Sequence, residues 1–207
     1  MEILNELRKA TGPIHTRIEE LPICKGLLAG TVDRLAYARL LSLLQPLHES
    51  FESALNEVPA LTGVWPSTPS RAAALGRDLA VFGTELEPAI KAVRDWFDGL
   101  QSLGHPAAWA GAGYVFEGSR MGSRVLVKCV AQAFHIPLQM GAGLDYHLDS
   151  GEDPTGNWKR VMGALAAADR GSEARAAMVD AAVRTFEVIY ALHELAGEPA
   201  ESLEIVG

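Results

Sequence analysis

The chain has 207 residues, 48% of them hydrophobic and 21% charged, a composition within the globular range and long enough to bury one sizeable core. Its formal net charge of -8 argues against general nucleic-acid binding, which needs clustered Lys and Arg to neutralise phosphates. The longest apolar runs, such as 164–168 and the Ser42-interrupted 40–44, fall far short of the roughly 18 to 20 residues that cross a bilayer, so no membrane span is expected.

Apolar residues recur at helical spacing almost everywhere, and alternating strand-like runs are scarce, so residues 1–207 are expected to form one all-α domain. The opening residues, Met1 to Arg8, lack the basic stretch and apolar core of a secretion signal, and a cytoplasmic protein is expected. A first helix is predicted from about Ile3 to Glu20, with Leu4, Leu7, Ala10, Ile14 and Ile18 on one face and Gly12-Pro13 as a place for a kink. A second, long helix is expected to start at Thr31, whose hydroxyl can cap it while Asp33 favours the first turn, and to run through Leu55 with a bend at Pro46. The segment from Asn56 to Ser70 carries Pro59, Gly63, Pro66 and Pro69 and reads as a loop. Further helices are predicted over about 71–82 and 88–100. A Gly-rich, aromatic stretch then runs from Pro106 to His135, an irregular one from Gly141 to Gly156, and closing helices lie near 155–168 and 172–196. The two cysteines, Cys24 and Cys129, have neither disulfide-framework nor zinc-site spacing and read as free, buried thiols.

Six histidines are present, and a lone histidine on a helix is usually structural. His15 stands out because Glu19 follows four residues later on the same face. A carboxylate there can accept the proton of one ring nitrogen and leave the other free for a metal, although an ordinary His-Glu surface pair has the same spacing. The second feature is the run from Gly111 to Val125, in which Gly118 and Gly122 share a helix face. Glycine costs a helix interior about 0.5 to 1 kcal/mol relative to alanine, so the pair calls for a compensating gain. Bare backbone admits either something flat or a neighbouring helix, and on the residues alone close helix contact is the stronger reading.

The stretch from Leu7 to Glu19, with Ala10-Thr11 a few residues before His15, resembles the proximal helix of heme oxygenases. Tyr114-Val115-Phe116-Glu117-Gly118-Ser119-Arg120-Met121-Gly122 is similar to the distal helix of the bacterial, biliverdin-producing members. Thr155-Gly156-Asn157-Trp158-Lys159 and Arg184-Thr185-Phe186 extend the likeness toward the carboxyl end. The resemblance implies a heme oxygenase-like helical bundle that converts heme to biliverdin, carbon monoxide and ferrous iron. Heme would be both cofactor and substrate, O2 the co-substrate, and the cofactor would supply the difficult chemistry.

The same resemblance assigns His15 as the iron ligand with Glu19 behind it. Gly118, Ser119 and Gly122 would lie on the oxygen-binding side, with Ser123 beside them, and Arg8 and Lys159 would face the propionates. For the last two, a solvated surface charge is the alternative. Ser119, Arg120 and Glu117 are expected to anchor a proton-delivering water chain. Ser123 stands where many members have a second glycine, so its side chain is expected to narrow the pocket or add a hydrogen bond. Gly113 stands where some relatives place a propionate-binding tyrosine, and that contact is expected to be missing. His15 alone among the histidines is expected to face the glycine pair.

No flavin or nicotinamide fingerprint is apparent, so an external electron donor, a ferredoxin or a reductase, is expected, and a bilin-binding photoreceptor is one possible recipient of the product. A heme carrier or sensor that does not degrade its ligand is the alternative on the same fold. A ferritin-like di-iron protein needs inward Glu-x-x-His pairs, and the sequence contains none.

Overall fold

The computed structural model describes residues 2–58, 65–66, 68–83, 90–148 and 154–198, and among them every regular element is a helix. α1 spans Glu2–Glu19, α2 Pro22–Ala29, α3 Arg34–Glu57, α4 Arg71–Phe82, α5 Ile90–Gln101, α6 Ala107–Phe134, α7 Asp145–Leu148, α8 Pro154–Ala168 and α9 Ser172–Ala196. The all-α expectation is met.

α1 buries Ile3, Leu4, Leu7 and Ile14, and continues through Gly12-Pro13 as one helix. α2 falls inside what the sequence pattern leaves unassigned, although its punctuation is plain. Pro22 opens it and Gly30, in the left-handed conformation at φ 67°, closes it. α3 begins three residues later than expected. Asp33, not Thr31, is the cap, its carboxylate accepting from the backbone N–H of Leu35 at 2.9 Å and of Ala36 at 3.1 Å. Between α3 and α4, residues 65–66 and 68–70 are non-helical as expected, while 59–64 and 67 lie outside the described residues. The predicted start of α5 at Pro88 also lies outside them.

Glu52 ties the start of α4 to α3, its carboxylate accepting from the N–H groups of Arg71 at 2.8 Å and Ala72 at 3.0 Å. The stretch expected to be irregular after Gly141 contains the single turn α7. Asp78 on α4 creates that turn by accepting from the N–H of Asp145 and of Tyr146, each at 2.8 Å. Residues 149–153 lie outside the described residues.

α9 is the central post, with α1 and α6 packed along it. α1 and α9 run side by side in the same direction. Arg175 pairs with Glu2 at 2.9 Å and Glu6 at 3.2 Å near their starts, and the Arg17 guanidinium sits 4.5 Å from the Tyr190 ring centroid near their ends. α6 meets α9 at Gly111, where a Cβ would stand 2.0 Å from the carbonyl oxygen of Met178. Gly111→Ala is therefore expected to lower stability by about 1 to 3 kcal/mol, in spite of alanine's better helix propensity, by forcing the two helices apart. Chemical denaturation checks this, and an unchanged midpoint would contradict the close crossing.

Candidate functional site

Between the α1–α9 pair and α6 lies a cavity of 590 Å³, within the size range of cofactor pockets. α2, α3, α7 and α8 complete its walls with mainly apolar side chains, among them Leu27, Leu40, Leu44 and Trp158.

On one wall, His15 places its ring edge-on to Phe186, with centroids 5.6 Å apart and planes at 79°. Its Nδ1 faces the Glu19 carboxylate at 3.5 Å, and both side chains are more than half exposed. The distance exceeds a hydrogen bond, but the direction leaves Nε2 on the other side of the ring, available to a ligand.

The facing wall is the middle of α6, where Gly118, Ser119, Gly122 and Ser123 all line the cavity. A Cβ on Gly122 would meet nothing within 4 Å, and one on Gly118 would make only ordinary contact with the Trp158 ring at 3.8 Å. The reading of this pair as a helix-packing seam, favoured by the residues alone, is thereby corrected. Gly111 and Gly113 are the packed glycines, the latter lying with its Cβ position 2.2 Å from the Trp65 ring. Gly113 is thus committed to Trp65 and has no room for a tyrosine.

Ser123 is buried. Its hydroxyl accepts from an Arg71 Nη at 3.2 Å and reaches the Ser119 carbonyl at 3.3 Å. The expected extra hydrogen bond is real, and its partner was not legible in the sequence. Ser123→Gly should leave the buried Arg71 guanidinium without this acceptor, costing about 1 to 3 kcal/mol, and open the cavity beside Gly122. Faster carbon monoxide binding to the ferrous heme complex, with a lower melting temperature, is the expected pair of results; equal rates would argue against a steric role.

The anchors expected for a water chain divide. Ser119 lies on the cavity and donates its hydroxyl to the Phe116 carbonyl at 2.7 Å. Glu117 and Arg120 instead line a separate polar chamber of 240 Å³, together with Thr68 and Arg71. There Glu117 accepts from Asn157 at 2.9 Å and Thr68 at 3.2 Å, and lies 2.9 Å from Arg120 Nε. Burial raises the Glu117 carboxyl above its ordinary value, against the opposing pull of the Arg120 and Arg71 charges. These two residues tie α6 to the segment before α4 and to α8. His48 and Phe116 are the residues that border both chambers.

The inner end of the larger cavity is polar in a way that sequence spacing did not reveal. Tyr37, His48, Tyr146 and His147 come together there, with His48 Nε2 3.2 Å from the Tyr146 hydroxyl and the Arg71 guanidinium 3.9 Å from the Tyr146 ring centroid. Burial, then the charges of Arg71 and Arg120, hold His48 well below its ordinary value; burial and Arg71 push His147 down to about 3. Both are neutral imidazoles at physiological pH.

The expectation that His15 alone faces the glycine pair is also corrected, because His15, His48, His147 and His193 line the same cavity. Arg8 and Lys159, by contrast, are exposed and are not among its lining residues. Arg8 does lie seven residues before His15, two turns along the same face of α1. Of the two carboxyl-terminal matches, Trp158 and Phe186 reach the cavity, whereas Thr185 accepts a hydrogen bond from Trp96 at 3.1 Å and docks α5 on α9.

A helical bundle with an imidazole on one wall of a cofactor-sized slot and bare backbone on the other is the architecture of a heme pocket, and the residues present fit that group. The heme oxygenase family matches residues 1–194, and the chain belongs to it.

Among its relatives is a heme oxygenase of Pyropia yezoensis, 26% identical over a match 145 residues long that covers 65% of this chain and 60% of that protein. The chain thus spans about three fifths of the length of that relative. The fold is similar to that of a heme oxygenase from Leptospira interrogans, with a TM-score of 0.80 at 21% identity over 94% of this chain and 100% of that one. It is equally similar to heme oxygenase-1 of the cyanobacterium Synechocystis, solved in complex with heme, with a TM-score of 0.80 at 18% identity over 95% and 93% of the two chains. No described helix is long and apolar enough to cross a membrane.

Proposed function

We propose that this chain cleaves heme with O2 and externally supplied electrons to biliverdin, carbon monoxide and ferrous iron, and that His15 holds the iron. The observation that carries the reading is that His15 and Gly122 line one cavity, with nothing within 4 Å of the glycine's missing side chain. Heme itself supplies the oxygen-activating iron and the ring that is opened.

The chain's own residues orient and exclude. His15 presents Nε2 to the iron while Glu19 fixes the ring from behind. Gly118 and Gly122, whose missing side chains leave open space in the cavity, would give room for O2 at the bound group. Ser119 and Ser123 border that space, Ser123 keeping Arg71 in place behind it. Apolar walls from α2, α3 and α9 keep bulk water off the ring. Arg8 and Lys159 are assigned to the propionates, which long cationic side chains can reach from the surface.

Residues 1–207 act in this reading as a single domain in the cytoplasm. The electrons come from a separate ferredoxin or reductase, and a bilin-binding photoreceptor is one recipient of the product. Hemin titration followed by reductant and oxygen tests the proposal. Loss of the Soret band with appearance of bilin absorption is expected, and an unchanged spectrum would instead make the chain a heme carrier or sensor.

A further inference from the structure

We propose that His193 is a second iron-coordinating imidazole in the same cavity, able to take the metal in a heme seat displaced along α9 from the one at His15. The inference rests on the reading that the cavity holds heme. Phe186, Ile189 and His193 follow one another at helical spacing on a single face of α9, and all three line the cavity. Phe186 marks the level of His15, whose ring it meets edge-on. Seven residues of helix, about 10 Å of rise, separate Phe186 from His193. Since α1 and α9 lie side by side, the two imidazoles stand on one wall and serve alternative seats rather than opposite faces of one ring.

The ring of His193 is prepared as a ligand. Its Nδ1 lies 2.8 Å from the Ile189 carbonyl oxygen. A carbonyl only accepts, so Nδ1 carries the proton and Nε2 keeps its lone pair. This is the arrangement in which metal-binding histidines are usually held, with the outer nitrogen donating to the backbone and the ring orientation fixed. Burial lowers the proton affinity of His193, which keeps the lone pair free near neutrality.

The other cavity groups are poorer ligands for separate reasons. His48 spends Nε2 on the Tyr146 hydroxyl, and both His48 and His147 feel the Arg71 charge, which also opposes a ferric centre beside them. The Cys24 thiol is pushed up to about 11 by burial and the Glu19 charge, so it stays protonated and binds iron weakly. Among the described residues, burial and not a neighbouring cation is what lowers His193.

The test uses heme complexes of the full chain: wild type, His15→Ala, and His15→Ala combined in turn with His193→Ala, His48→Ala and His147→Ala. The readouts are the ferrous iron–imidazole stretch by resonance Raman and the ferric electron paramagnetic resonance spectrum. The stretch is expected to persist in His15→Ala, to survive the added His48 and His147 changes, and to vanish with the added His193 change, together with at least a tenfold loss of heme affinity. His15→Ala/His193→Gln, which keeps a polar side chain at the Ile189 carbonyl, should also lack it and covers any failure of the alanine variant to fold. Absence of an imidazole signature in His15→Ala, or its persistence without His193, overturns the inference while leaving the heme reading intact. Failure of the wild type to bind heme overturns both.

Discussion

His15→Ala is expected to reduce biliverdin formation by at least about a hundredfold while the variant still takes up heme. Most of the heme contact comes from apolar walls that the substitution leaves in place, namely Leu27, Leu40, Leu44 and Trp158, so uptake persists. What is lost is registration. With the imidazole gone, nothing centres the iron opposite Gly122, and misplacement of reacting atoms by about 1 Å is enough to cost roughly a hundredfold in rate. Single-turnover assays with matched heme loading separate this from an affinity effect. Bilin formation at the wild-type rate would remove His15 from its assigned role.

Gly122→Phe is expected to give the opposite division of effects, with the folded protein untouched and the slot closed. The Cβ position of Gly122 meets no atom within 4 Å, so a benzyl group enters empty cavity rather than core. Phenylalanine is also a better helix residue than glycine by a few tenths of a kcal/mol, and the melting temperature of the heme-free protein should hold or rise. Hemin affinity should fall by about two orders of magnitude, because the side chain occupies the space of the flat ligand. The contrast with Gly111→Ala, which damages the fold, makes the pair diagnostic. A hemin titration curve identical to that of the wild type would show that the ligand lies elsewhere.

What could be read from the sequence was whatever depends on neighbours within a turn or two. The limits of α1, α4 and α9 follow from local apolar period and punctuation, and the His15–Glu19 pair from a spacing of four. α2 is bracketed by Pro22 and Gly30, but its 8 residues are too few for the helical period to stand out. Other features depend on partners distant along the chain. α7 exists because Asp78, sixty-seven positions before Asp145, accepts its first N–H groups, and no local pattern in Asp-Tyr-His-Leu announces a helix. Arg71 reaches Ser123 across fifty-two positions. His48 and His193 look like ordinary helix histidines until α3, α6 and α9 enclose one space.

The glycines of α6 illustrate the same limit. Gly111 and Gly122 are chemically identical, and only the surroundings assign one to a helix crossing and the other to a void.

That division makes α6 a beam supported at both ends. One end is clamped where Gly111 meets the Met178 backbone, the other where Val127, Val130 and Ala131 are buried, and the stretch carrying Gly118 and Gly122 bridges the slot between them. A girder held on two supports keeps its height, so the clearance over the slot is set by the core on either side rather than by whatever occupies it.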